Sequence, residues 1–289
     1  MRILKTLALC AVSALIATAG FAQGTQNPNE PRPIAAADTV FIDEMTFMEV
    51  RDAVRAGKTI AIVGTGGVEQ NGPYTATGKH NFVMRVTADA IARKLGNALV
   101  APIVPFVPEG QHEPPTGHMQ FAGTISLTED TYRALLRDIC TSLKVHGFTS
   151  IILIGDSGGN QGGMRAVADE LNGKWSAAKT RVHFIPEYYT QDMWSFDYLK
   201  SLGIRQQPDV RSASRAGVHD DYHYEALVAV ADPAHIRAEQ RLKAGKFSIN
   251  GVNLDSVSAV VANGRKLVEY RAAITADAIA KAVAAAPSR

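Results

Sequence analysis

Residues 64–81, GTGGVEQNGPYTATGKHN, place a carboxylate (Glu69), two amides (Gln70, Asn71), a phenol (Tyr74) and an imidazole (His80) in one glycine-rich loop. The loop follows directly on the apolar run Thr59-Ile60-Ala61-Ile62-Val63. Buried polar groups are costly unless they have partners or work, and glycine lets backbone come close to a ligand. Three later segments carry the same residue types: 109–124 with His112 and His118, 155–161 with Asp156 and Ser157, and 216–225 with His219, Asp220, Asp221, His223, Tyr224 and Glu225. Glu69, His80 and His219 supply one carboxylate and two imidazoles, enough for a mononuclear zinc with one position open to water. Such an ion acidifies its water and polarises an amide carbonyl, with Asp156 or Asp220 as proton shuttle. Asp221, His223 and Glu225 are further ligand candidates. The competing reading is that these groups satisfy only one another and the loop backbones.

The elements that must position these residues alternate. Hydrophobic periodicity and breakers predict a helix at 46–56, a strand at 59–63, a helix at 83–95 and a strand at 99–105. A long loop to 127 leads to a helix at 129–145, a strand at 150–154, a helix at 162–171 and a strand at 181–185. Each strand is a short run of branched residues, as expected when helices cover both faces of a sheet. Strands alternating with helices of this length imply a mainly parallel sheet in a three-layer α/β/α sandwich. Residues 186–210 read as irregular and aromatic, with Tyr188, Tyr189, Trp194, Phe196 and Tyr198, before closing helices at 225–231, 234–244 and 257–285. In an open parallel sheet, ligands bind beyond the carboxyl ends of the strands. The first three polar segments fall there, and the fourth is placed to fold over them.

Residues 1–22 carry Arg2 and Lys5, an apolar stretch at 6–19 and the small residues Gly20 and Ala22 on either side of Phe21, the pattern of a cleaved secretory signal peptide. The apolar stretch is shorter than the roughly 20 residues a span needs. The expected location is therefore periplasmic or secreted. Residues 23–38 are polar and proline-bearing, a flexible lead-in, and 39–289 form one domain. Removal of the peptide takes Cys10 and leaves Cys140 alone, so no internal disulfide forms, and a chain of this size buries enough core to do without one. Cys140 reads as a buried small hydrophobe. Loss of Arg2 and Lys5 from the 30 basic residues leaves them equal in number to the 28 acidic ones, so neither nucleic acid nor a membrane is an indicated partner.

The motifs VGTGGVEQNGP (63–73), TGKHN (77–81), GHMQFAGTISL (117–127), HGFTSIILIGDSGGNQ (146–161) and HDDYHYEALVAVADP (219–233) together resemble the creatininase family of metalloenzymes. The resemblance implies an α/β/α sandwich, often a homo-oligomer, that hydrolyses linear or cyclic amide C–N bonds with two divalent metals. It keeps Glu69 at a metal-ligand position. It places Asn71 and Ser157 where the family has histidines, His80 where it has a bridging aspartate, and Tyr224 where it has an acid. The residues thus favour a single ion, Zn with Mn or Fe as alternatives. Asn71, Tyr74, His118, Ser157 and Tyr224 are the candidate substrate contacts, and a small amide the candidate substrate.

Other motifs compete. GDSGG at 155–159 imitates a trypsin-like nucleophile loop, but that fold is a disulfide-bonded β-barrel. Gly155-Asp156-Ser157 with Asp232 and His235 imitates a GDS-type serine esterase, although its turn follows the third strand rather than the first. GTGG lacks the spacing of a dinucleotide loop, since Glu69 stands at the third glycine. A non-catalytic member of the same fold that binds a small ligand is the alternative from a different class.

Overall fold

The computed structural model describes residues 27–190, 192–206, 221–246, 248–249, 252–253 and 256–285. Residues 1–26, and with them the signal-peptide reading, lie outside the described residues, as do His219 and Asp220.

Four parallel strands, β1 (Ile60–Thr65), β2 (Ala98–Val100), β3 (Ser150–Gly155) and β4 (Arg181–Phe184), form a sheet in the order β2-β1-β3-β4. Ile62 pairs with Val100 on one side and Ile152 on the other, and Ile152 in turn with His183. Every residue of β1 and β3 is buried. Alternation sends Ala61, Val63, Ile151 and Leu153 into one core and Ile60, Ile62, Ile152 and Ile154 into the other.

The first core is covered by α3 (Glu129–Val145) and α4 (Gln161–Lys174) through Tyr132, Leu136, Cys140, Met164, Val167 and Leu171, with Val50 and Val54 of α1 (Phe47–Arg55) packed at its edge. The second is covered by α2 (Lys79–Leu95) and α9 (Val257–Ala285) through Met84, Ala88, Ile91, Ala272 and Ile279. Between β4 and α9 run α5 (Glu187–Thr190), α6 (Asp192–Ser201), α7 (Tyr222–Ala231), α8 (Ala238–Lys243) and the short hairpin β5 (Ser248–Ile249) and β6 (Val252–Asn253). The result is the three-layer α/β/α sandwich. Burial pushes the Cys140 thiol up to about 12, as befits an inert core residue.

Several boundaries moved for physical reasons. The second strand ends at Val100, since Pro102 and Pro105 cannot donate to a ladder; beyond it the Ala101 amide still donates to the Ile62 carbonyl at 2.8 Å, and Val104 bridges to Thr65. The segment after Pro186 is helical, not irregular, through α5 and α6. The helix expected at 234–244 is broken at Arg237, whose φ of 52° is left-handed, into a 3-10 turn (Pro233–Ile236) and α8. Residues 27–38 lie along α1, with Arg51 donating to the carbonyls of Pro28 and Glu30 at 2.7 Å each. The boundary that matters most for chemistry is that of α2. It opens at Lys79 rather than at Val83, so Lys79 and His80 sit on a helix turn and not in a loop.

Candidate active site

The chain leaving β1, the chain leaving β2 and the turn after β3 meet beyond the carboxyl edge of the sheet. With α7 and α9 they wall a cavity of about 900 Å³. Glu69, Asn71, Lys79 and His80 come from the first loop and the start of α2, Glu109 and His118 from the second loop, Asp156 and Ser157 from the third. Asp221, His223 and Tyr224 enter from the start of α7 and Arg271 from α9. Gly67, with φ of 149°, makes this convergence possible: a Cβ there would lie 2.2 Å from the Glu109 carboxylate.

The floor of the cavity is a charged network. Glu69 Oε1 accepts from Lys79 Nζ at 2.9 Å and from His80 Nε2 at 2.8 Å, while Glu69 Oε2 meets His118 Nε2 at 2.9 Å. Lys79 Nζ also donates to Asn71 Oδ1 at 2.8 Å and the Gln70 carbonyl at 3.4 Å. His80 Nδ1 lies 2.8 Å from Asp156 Oδ2, which Tyr224 Oη also reaches. Asp156 Oδ1 accepts from Arg271 Nη1 at 3.0 Å and Tyr188 Oη at 3.1 Å. Ser157 Oγ donates to Glu109 Oε2 at 3.0 Å, and His118 Nδ1 is 2.8 Å from Gln70 Oε1.

These contacts set the charge states. Burial and the Lys79 ammonium push His80 down, but the Glu69 charge and the hydrogen bonds to Asp156 and Glu69 outweigh them and raise it to about 9. Burial tends to raise Asp156, yet His80, Arg271 and Tyr224 hold its carboxyl below the usual range. Burial lowers Lys79 against the pull of Glu69. Glu109 goes the other way: burial first, then the neighbouring Glu69 charge, raise it to about 8 against the opposing effect of His80. At neutral pH Glu109 is thus mostly a carboxylic acid, hydrogen-bonded to ionised Glu69.

Of the residues expected from the sequence, Glu69, Asn71, His80, His118, Asp156, Ser157 and Tyr224 all line this cavity. Tyr74 does not: its ring lies 4.4 Å under the Arg241 guanidinium, outside the cavity wall. Glu225 is turned away as well, buried against Arg241 Nη1 at 2.5 Å and Thr75 Oγ1 at 3.0 Å, so it is no metal ligand. Asp156 is engaged by four donors and stays ionised, which makes it the anchor of His80 rather than a proton shuttle. The esterase reading fails, because His235, the histidine it needs beside Ser157, instead stacks on Phe82 with ring centres 3.8 Å apart, while Ser157 Oγ donates to the Glu109 carboxyl. Asp232 caps the 3-10 turn by accepting from the Ala234 amide.

Three contributors escaped the sequence reading. Lys79 could be placed only once α2 was known to begin there. Glu109, one residue before Gly110 in the second loop, bore the right chemistry at the right strand end. Arg271 was legible as a lone charge on the buried stripe of Leu267, Val268, Ala272 and Thr275.

One ligand atom each from Glu69, His80 and Glu109 lies within 4.8 Å of the others, so the three form a possible metal-binding triad. The spacing would admit an ion, but the chemistry does not fit one. Both His80 nitrogens already face carboxylates, and the Glu69 carboxylate that an ion would claim already holds the Lys79 ammonium on Oε1.

Residues 43–279 match the family model for creatininase, described as creatinine amidohydrolase. A creatinine amidohydrolase from Pseudomonas putida is 28% identical over 116 residues, 40% of this chain and 44% of that protein, so the match spans less than half of that relative. A mutant creatininase superposes with a TM-score of 0.63 at 20% identity over 84% of this chain and 98% of its own. Another mutant, of Zn-Zn type, superposes at 0.55 and 19% identity over 86% and 98%. At these identities the structural likeness speaks for the fold.

Proposed function

The chain belongs to the creatininase family, and from that premise we propose that its cavity hydrolyses the C–N bond of a small linear or cyclic amide. The observation that carries this reading is Glu109, a carboxyl raised to about 8 on the wall of a 900 Å³ cavity that Lys79, His80 and Arg271 also line. A group that titrates near working pH is the form of acid and base that proton transfer needs.

Water attacks the amide carbonyl while ionised Glu109 accepts its proton, and a C–O bond forms. Glu109 then returns the proton to the amide nitrogen as the C–N bond breaks, releasing an amine and a carboxylic acid. Lys79, His80 and Arg271 supply a positive field for the oxyanion that develops between these steps. His118, held by Glu69 and Gln70 and partly open to the cavity, is placed to orient the substrate. Asp156 keeps His80 protonated and fixed. No step passes through a metal, since Lys79 and His80 already hold the site's positive charge.

A second reading, binding without catalysis, is favoured by one feature: the charges of the floor are largely neutralised by one another. A panel of small amides and lactams, followed by NMR for amine release and by melting temperature for binding, separates the two. Turnover of any member supports hydrolysis. Ligand-induced stabilisation without turnover across the panel would replace it with the binding reading.

We also propose that the protein acts outside the cytoplasm, on the signal-peptide pattern of residues 1–22. N-terminal sequencing of the exported protein is expected to begin at Gln23; an intact Met1 would contradict export by this route.

A further inference from the structure

We propose that the Lys79 ammonium is the resident cation of this centre, standing in for a divalent ion and keeping such ions out. Lys79 is 1% exposed, among the most deeply buried charged side chains of the described residues. An ammonium has three hydrogens and no acceptor. Here the three meet three oxygens: Glu69 Oε1 at 2.9 Å, Asn71 Oδ1 at 2.8 Å and the Gln70 carbonyl at 3.4 Å. The Tyr224 ring closes over the remaining side, its centre 5.3 Å from Nζ.

This is the arrangement of a metal site in which oxygen ligands surround one positive point. The point is covalently tethered to the first turn of α2, whose Lys79 amide donates to the Ala76 carbonyl at 3.2 Å. A dication held by Glu69, His80 and Glu109 would sit about 2 Å from a Glu69 oxygen, on the same carboxylate whose Oε1 lies 2.9 Å from Nζ. Two cations on one buried carboxylate repel strongly where the dielectric constant is low. Asn71 suits the lysine, because its amide oxygen accepts from N–H without adding charge. The tethered cation cannot be stripped by a chelator.

The inference stands independently of hydrolysis, and its test reads metal rather than turnover. The full-length protein is incubated with Zn²⁺ or Mn²⁺, desalted, and assayed for bound metal and for melting temperature. The wild type is expected to retain far less than one ion per chain, with no metal-dependent rise in melting temperature. Lys79→Ala, which removes the cation and leaves the triad, is expected to retain about one ion per chain and to melt higher in its presence. Should Lys79→Ala fail to fold without metal, Lys79→Gln fills the space with an uncharged donor and gives the same readout. A wild type that carries stoichiometric metal and loses it in Glu69→Gln overturns the proposal. So do Lys79 variants that bind no more metal than the wild type.

Discussion

Lys79 and His80, neighbours in the chain, donate to the same carboxylate oxygen, Glu69 Oε1, at 2.9 and 2.8 Å. Adjacent residues on a helix point about 100° apart, so one acceptor shared between them fixes the first turn of α2 against the loop that carries Glu69. From there the network continues through His80 to Asp156 and through Asp156 to Arg271 on the last helix. The site is thus also the joint between the sheet and α9.

Arg271→Met tests that joint. It leaves the buried Asp156 carboxylate short of its cation, and breaking one side of a buried pair costs about 3–5 kcal/mol. Three hydrogen-bonding neighbours remain on Asp156, so the lower end is expected. Denaturant melts of the variant and wild type measure it. A loss below about 1 kcal/mol would mean that Arg271 contributes no more than a surface pair.

Stability is expected to fall as pH rises from about 6.5 to about 9. His80 is raised from 6.5 to about 9, so its contribution is complete below its unfolded value and is lost as pH climbs through the folded one. Glu109, raised from 4.5 to about 8, loses stability in the same direction over a window that begins lower. Glu69, His80 and Ser157 face Glu109; Lys79, Glu69, Asp156 and Tyr224 face His80. Asp156 is depressed, so its contribution is lost only in acid, below this window. Lys79 is lowered from 10.5 and opposes the fall towards the alkaline end. Melting temperature against pH checks the sum, and Glu109→Gln should flatten the slope. A stability that increases steadily from pH 6.5 to 9 would refute these assignments.

The fold was legible because its strands are branched runs buried on both faces and its helices carry caps and periodic apolar faces. Thr46 with Glu49 forms a capping box, and helix 129–145 was read to its boundaries. The site was legible as a set of loops, since Glu69, His80, His118 and Asp156 all reach one cavity. Their roles were not legible. Residue type alone offers Glu69 and His80 as metal ligands, and only the position of Lys79 shows their charges already matched. Glu225 was misplaced for the same reason: its partner Arg241 lies 16 residues away across a break in the helix that sequence pattern did not reveal.

The Glu225 and Arg241 pair holds the loop through Thr75, and the Ala76 amide donates to the His235 carbonyl at 2.8 Å. Glu225→Gln should therefore destabilise the protein by about 3 kcal/mol and raise hydrogen exchange first in residues 71–78. Exchange that rises equally across β1 and β3 would show that the pair stabilises the whole fold instead of this loop.

The central claim is that Glu109 carries the proton in a cavity whose cation is a lysine. Its most direct test is amide hydrolysis by chelator-dialysed wild type and Glu109→Gln, measured on the same substrate at pH 8. Wild type is predicted to keep its full rate after dialysis and the variant to lose about 100-fold or more in kcat, with its melting temperature held or raised. A rate that disappears on dialysis and returns with added metal, or a Glu109→Gln enzyme as fast as wild type, would contradict the account.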